Sequence, residues 1–551
     1  MKRWTSTGVM TGAVLLLLAA CTVDEDAAAP DVLTYELTPL TDEETAELQV
    51  DVTFRGDMDG ATLLVLPEAW ASETDLHRAV SGLEVVSGGI LQTAANPARR
   101  VVRHLPGVQV HVRYVLTQDF EGEPAFGEDY KPGYRPVVRP DYIHFIGHTG
   151  LVLPRFSRSG RDTEREVVLR WRNVSEDWRV ATSYGDGQEG WERRLSERDL
   201  RAAVYVAGDF RMVERERDGA TVRVAVRGEE WSFSPDQFAG RVMDVFATSR
   251  DFWGDPEVDT YLVTILPVRP PEDAEPGFVS ISGTGLTRSF AIFSTVNADP
   301  ERMDYVLTHE MQHEWITRRM GVLAPPEGRL YWFSEGFTDF YAYRLMVLAG
   351  LLSVPGYVSA VNDTIEDYYR SGAMSLTADE VAAGFWRDSA VNRLPYLRGH
   401  LLALSWDAAI REQTENATGL DAAVRSLLET AREAASPPRL TGTYLLTAIG
   451  DLAGERAARD HARHVGAGET LNLSPGLLGP CANFAGATVL DDGTPVPRFS
   501  VPEPFTPERE QECRDWLAGP ENLSAGGDVS AVTLPDGFRY PRPSPYRAEA
   551  R

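Results

Sequence analysis

Cysteine is scarce in this sequence: only Cys21, Cys481 and Cys513 occur in 551 residues. So few thiols exclude a disulfide-dense scaffold, and the fold must rest on hydrophobic cores. Basic residues are also in deficit, 54 Lys and Arg against 82 Asp and Glu, for a formal charge of −28. A field of that sign disfavours a nucleic-acid partner. After residue 20 no segment offers about 20 consecutive apolar residues, so no membrane-crossing helix is expected. No internal repeat of fixed period stands out. What the chain does have is 43% hydrophobic and 9% aromatic residues, enough for large cores and against disorder. Its length carries a prior of roughly two to four domains.

The N-terminus reads as a targeting segment rather than as fold. Lys2 and Arg3 precede an apolar stretch from Val9 to Ala20, too short to span a bilayer as a helix. It ends in Leu18-Ala19-Ala20-Cys21, which resembles the bacterial lipoprotein signal, with Cys21 acylated and residues 1–20 removed. The alternative is a plain secretory leader with an incidental cysteine. Residues 21–34 are then a polar, acidic tether, and Thr22 rather than Asp after the cysteine favours sorting to the outer membrane. The expectation is an exported lipoprotein facing the periplasm or cell surface. In that oxidising space Cys481 and Cys513 are either a disulfide or two buried thiols, and the setting favours the bridge.

Residues 35–232 read mostly as strands. "ELQVDVTFRG", "VQVHVRYVLT" and "TVRVAVRG" alternate apolar and polar residues or run with β-branched ones, separated by Gly, Pro, Asp and Asn. Several short strands in series predict an antiparallel β-sandwich-like domain. The texture changes at Ser234, a helix cap followed by Pro235. Strands follow at "TYLVTILPV" and "SFAIFST", then mainly helix to about Gly450, within a domain of residues 233–472. Residues 473–551 form a Pro-rich extension, read as irregular with short strands. Taken whole, the chain is an α+β multidomain protein.

One segment carries chemistry. Asp299 and Pro300 start a helix through His309, Glu310 and His313. Histidines four apart on a helix lie ~5–6 Å apart at Cβ, so both imidazoles can reach one metal ion. Glu310 flanks that ion and can take a proton from water activated there, the mechanical content of His-Glu-x-x-His. A catalytic zinc needs three protein ligands, and Glu335 supplies the third from a second helix capped by Ser334 and ended by Gly350. Asp339, one turn on, is placed to accept the free N–H of a ligand histidine. Chance would produce His-Glu-x-x-His in roughly one such chain in a hundred. The other histidine pairs read as structural. His144 and His148 lie on a strand running into a loop, where four residues span ~13 Å. His461 and His464 share a helix face taken as solvated.

"HEMQHEW", "YWFSEGFTDFYAYRLMVLAGLLS" and "PYLRGHLLALSWDAAI" together resemble the glycyl aminopeptidase-like zinc peptidases, relatives of thermolysin. The resemblance covers about residues 234–472. It implies a thermolysin-like, mainly helical catalytic domain with a small edge-stranded sheet. It also implies one zinc ion held by His309, His313 and Glu335, Glu310 as general base, and Tyr396 as donor to the oxyanion of the tetrahedral intermediate. Two departures stand out: no PDZ-type domain follows, and the family's Gly-Gly-Leu-Glu-His reads here as Gly283-Thr284-Gly285-Leu286-Thr287-Arg288. The family's glutamate there holds the substrate's amino group. Thr287 cannot do so as an anion, which leaves endopeptidase and aminopeptidase action both open. Glu272, Asp273 and Glu275 in the preceding loop are alternative carboxylates. The expected activity is peptide-bond hydrolysis, with a peptide or protein substrate. The competing reading is a non-catalytic substrate-binding or structural lipoprotein that keeps the fold.

Overall fold

The computed structural model describes residues 31–42, 45–70, 73–126, 133–155, 163–185 and 190–520. Cys21 and the leader lie outside the described residues. The fold is mixed α+β, a strand-rich N-terminal part followed by a helical one.

The N-terminal part is built on a six-stranded sheet. Its order is Trp191–Ser196, Glu164–Trp171, Val32–Thr41, Ala46–Arg55, Gln109–Leu116 and Val80–Ser87. All pairs are antiparallel except Val32–Thr41 with Glu164–Trp171, which run parallel. Alternation decides which face is buried: Leu33, Tyr35 and Leu37 point into the core, as do Leu48, Val50, Val52 and Phe54 on the next strand. Two four-stranded sheets cover that face, and Ile143, Phe145 and Tyr205 fill the shared core.

A five-stranded sheet carries the helical part. Its order is Arg211–Arg217, Ala220–Val226, Thr260–Pro267, Ser289–Ser294 and Ile281–Leu286. The Arg211–Val226 hairpin lies upstream of residue 232, yet Thr221 to Val226 pair in parallel with Thr260 to Ile265. The physical reason is burial on both sides. Val222, Val224 and Val226 pack with Phe238, Val242 and Phe246 of helix Pro235–Trp253. On the other face Ala225, Leu262, Leu266 and Phe293 pack with Val204 and Val206 of the N-terminal part. Among the described residues strand Ile281–Leu286 is an edge of this sheet, bonded to one neighbouring strand.

Residues 473–520 of the C-terminal extension are more ordered than their prolines suggested. Hairpin Asn483–Val489 with Pro495–Ser500 leads into helix Pro507–Ala518, capped by the Thr506 side chain on the Arg509 N–H. A disulfide joins Cys481 to Cys513 on that helix. Buried Arg344 clamps the helix end. It donates to Leu517 O at 2.6 and 3.0 Å and bidentately to Asp421 at 2.7 and 2.8 Å. Among the described residues no helix is long and apolar enough to cross a membrane.

Candidate metal centre

Helix Pro300–Gln312 starts where its sequence says it should. Asp299 accepts from the Arg302 N–H at 2.9 Å, with Pro300 in the first turn. The helix buries Met303, Leu307 and Met311 together with His309, while Glu310 is half-buried beside it. His313 is its terminal cap, still right-handed at φ −60°, ψ −19°. Helical geometry breaks just beyond, at Ile316 (ψ 113°) and Thr317 (φ 78°), so Ile316 is not on the same regular helix.

Helical turn Tyr331–Ser334 runs through Glu335 into helix Gly336–Leu348. Ser334 therefore does not cap the second helix as its sequence suggested. Its hydroxyl donates instead to Glu335 Oε1 at 2.8 Å, fixing the carboxylate. Continuing the helix through 335 satisfies the backbone without a cap, since Glu335 N–H bonds to Tyr331 O and Asp339 N–H to Glu335 O. Long helix Ser389–Gln413 crosses this junction at glycine. A Cβ on Gly399 would sit 1.9 Å from Trp332 O, and one on Gly336 would sit 2.3 Å from Gly399 Cα. That close approach brings Tyr396 over His309, ring centroids 5.6 Å apart and planes at 28°.

The three predicted ligands converge. One donor atom each from His309, His313 and Glu335 lies within 4.8 Å of the others. Glu335 Oε2 is 3.5 Å from His309 Nε2 and 3.4 Å from His313 Nε2. Asp339 Oδ1 lies 2.8 Å from His309 Nδ1, which leaves Nε2 facing Glu335. Thr338 Oγ1 is 3.4 Å from His313 Nδ1. Glu310 is aimed from elsewhere: Oε2 accepts the Gly285 N–H of the edge strand at 2.7 Å.

The electrostatics call for a cation. Burial pulls the His309 pKa down, but its hydrogen bonds to Asp339 and Glu335 outweigh this and push it up to about 10. Burial alone would raise Glu335 and Asp339; the imidazoles beside them bring both below the ordinary carboxylate range. Arg393 pulls Asp339 down further. Buried Asp339 and half-buried Glu335 thus favour positive charge at His309, which a divalent cation would supply in place of a proton. Two imidazole nitrogens and one carboxylate oxygen are the donor set of a catalytic zinc with an open fourth position. The residues fit the group.

Some contacts were not legible in the sequence. Tyr305 Oη donates to Asp339 Oδ1 at 2.5 Å, the same oxygen His309 uses. Its helical position four before His309 was the available signal. Gly285, within the altered glutamate motif, carries no local signal for its contact with Glu310. Thr287 does not present its side chain to the ligand group: its Oγ1 is 3.4 Å from Asp199 and 3.3 Å from Arg318, its N–H bonds to Ala202 O, and Arg288 pairs with Asp259. Glu272 and Glu275 line a separate cavity of about 620 Å³ whose lining includes none of the ligand residues. His144 and His148 stay outside the centre, His144 bonded to Thr264 and His148 stacked on Trp70. His464 is not on a solvated face: it is 6% exposed and its Nδ1 bonds to Glu469 O, because the helix gives way to a wider turn there.

Residues 303–394 match the model of the M61 glycyl aminopeptidase family. No curated protein matches the chain. Among solved structures, the fold is similar to an aminopeptidase N family protein from Idiomarina loihiensis, at 16% identity over 84% of this chain and 80% of that one, TM-score 0.63. It is also similar to an M1 zinc metallopeptidase from Deinococcus radiodurans, a mutant bound to a Tyr-Ser-Ala substrate. Identity there is 16%, over 81% of this chain and 95% of that one, with a TM-score of 0.51. At such identities these likenesses speak for fold, while the family match falls on the segment that holds the ligand group. Over the segment that carries these residues the chain is similar to the glycyl aminopeptidases; it is a hydrolase of peptide bonds whose His309, His313 and Glu335 form a group able to hold a single zinc ion.

Proposed function

We propose that this chain is an exported, lipid-anchored peptidase in which His309, His313 and Glu335 hold the zinc, Glu310 is the general base and Tyr396 stabilises the oxyanion. The observation that carries the reading is the convergence of the three donor atoms, with Asp339 on the far nitrogen of His309. Lipid attachment at Cys21 and outer-membrane residence rest on the sequence around Leu18 to Thr22.

Zinc bound there supplies Lewis-acid polarisation of the scissile carbonyl and of the attacking water. The protein's own groups do the rest. Among the described residues the edge strand Ile281–Leu286 has no strand on its outer side, so an extended substrate backbone can pair there with the residues before Gly285, whose own N–H and carbonyl are taken by Glu310 and Arg318. Gly285 N–H holds the Glu310 carboxylate in one orientation. From there Glu310 takes the proton of the attacking water and returns it to the departing nitrogen. Tyr396, held over His309 by the glycine crossing, offers its hydroxyl to negative charge that develops only in the transition state. Asp339 keeps the Nδ1 proton of His309 engaged, so Nε2 remains the ligating atom.

The test is zinc content by elemental analysis together with digestion of a peptide library by the parent and Glu310→Gln. Cleavage with one zinc per chain in the parent, and zinc without cleavage in the variant, is the expected pair of results. Cleavage at the parent rate by Glu310→Gln would overturn the assignment of the base.

A further inference from the structure

We propose that the end of the N-terminal part carrying Met58, Ile90 and Leu105 rests in the interfacial layer of the lipid surface to which the chain is attached; this builds on the lipid anchor proposed above. These side chains are 70%, 71% and 75% exposed, and Val86, four residues before Ile90, is 44% exposed. Single exposed apolar residues are ordinary on a protein surface; several on adjoining loops are not.

Met58 and Leu105 lie on two turns, and Ile90 opens strand Ile90–Thr93 beside them. A Cβ on Gly107 would be 3.1 Å from Met58 Sδ, which sets Met58 against the turn that carries Leu105. Ile90 pairs with Arg103, two residues before Leu105. His104 ties the loops together: its N–H bonds to Gly60 O at 3.1 Å, its ring is 2.9 Å from Thr62 Oγ1, and that ring packs over Gly56. Leu105 O and Gly56 N–H are each engaged by Val108, at 3.2 and 2.8 Å. The tips are thus braced by hydrogen bonds while their side chains stand in water.

The anchor arrives at the same end. Thr34 pairs with Thr53, and Arg55 with Gln109, so the first described strand begins beside the Met58 loop. The chain from Cys21 to Asp31 reaches at most about 35 Å fully extended. An acylated Cys21 therefore tethers this end directly, and reaches the far end of the ten-residue first strand, about 33 Å away, only when fully extended. Arg55 and Arg103 flank the tips but Asp57 and Asp59 lie among them, and the chain carries −28 overall. Apolar contact, not charge, is the attraction on offer, and a membrane interface accepts shallowly inserted apolar tips. The tips would orient the enzyme on the surface; the lipid would hold it there.

The test uses the full chain in vesicles of phosphatidylethanolamine and phosphatidylglycerol, with a polarity-sensitive dye on Leu105→Cys. Val489→Cys, at a residue 69% exposed in the C-terminal hairpin, is the control. The disulfide and the acylated Cys21 leave the introduced thiol as the labelling site. The expected result is a blue-shifted emission at position 105, quenched by doxyl-labelled lipid, with position 489 still aqueous. Equal, unquenched emission at both positions in a chain whose mass shows the acyl group overturns the proposal. If that mass shows no acyl group, the anchor is wrong, and the same measurement in a Cys21→Ser background decides the tips: quenching at 105 shows that they hold the surface themselves, and its absence overturns both ideas. A blue shift that grows with protein concentration without vesicles identifies a second copy as the occupant and also overturns it.

Discussion

Asp339 Oδ1 lies 2.8 Å from His309 Nδ1, one helical turn beyond the ligand carboxylate of Glu335. The same oxygen accepts from Tyr305 at 2.5 Å. Burial holds the Tyr305 pKa well above its ordinary value, so Tyr305 remains a donor across the working range. Asp339→Asn should cost roughly ten- to a hundredfold in zinc affinity or turnover, because the amide no longer fixes the His309 tautomer as a carboxylate does. Tyr305→Phe should act in the same direction and more weakly, since it removes one donor and leaves the charge. Competition with a chelating dye reads both; wild-type affinity and turnover in Asp339→Asn would remove it from any part in holding His309.

Ligand and base should separate cleanly. Glu335→Ala should lose most of its zinc, since one of three ligands is gone. Glu310→Gln should keep the zinc and lose most of the activity. Dialysis against a chelator should abolish cleavage by the parent, and zinc should restore it. Full activity of the zinc-stripped enzyme would contradict the reading.

The crossing at Gly399 sets how Tyr396 meets His309. Gly399→Ala places a methyl group against the Trp332 carbonyl, a backbone atom that cannot rotate away. Overpacking of this kind costs about 1–3 kcal/mol, and the displaced helix should lower kcat as well as the melting temperature. Ala at Gly450, where a Cβ meets nothing within 4 Å, is the control. Equal melting temperatures and rates for the two variants would show that the crossing has slack.

Acid should weaken the clamp on the C-terminal helix. Burial pushes the Asp421 carboxyl up, but the guanidinium of Arg344 outweighs it, and the pKa ends below its ordinary value. A carboxylate depressed in the folded state stabilises the fold above its unfolded pKa, near ~4, and loses that contribution as the pH falls through the folded value. The gap in melting temperature between parent and Asp421→Asn should therefore be constant near neutrality and narrow below about pH 4. Arg344→Met, which strands the buried carboxylate, should cost about 3–5 kcal/mol at neutral pH. A gap that does not change with pH would mean that folding leaves the Asp421 pKa unshifted, against the depression by Arg344.

Substrate ends provide the remaining test. Thr287 is turned toward Asp199 and Arg318, and no anion stands at position 287 itself. A peptide and its N-acetylated form should be cut at comparable rates, at internal bonds. A strong preference for the free amine would instead point to Asp199, the carboxylate next to Thr287, and Asp199→Asn would then abolish the preference.

By itself the sequence determined what backbone periodicity dictates. His309 and His313, four apart on a helix begun by Asp299 and Pro300, had to share a face; so did Glu335 and Asp339. Alternation along strands such as Ala46–Arg55 likewise specified which side is core. Helix Pro507–Ala518 had its signals too, Thr506 as cap and Pro507 at the first turn, but the surrounding prolines masked them. Tertiary packing decided the rest. That Tyr305 and His309 share one oxygen of Asp339, that Gly285 meets Glu310, and that Gly399 lies against Trp332 depends on segments 25 to 67 residues apart. No local pattern encodes such distances. They are settled by how the sheet and helices bury their apolar faces, and the catalytic geometry follows from that packing.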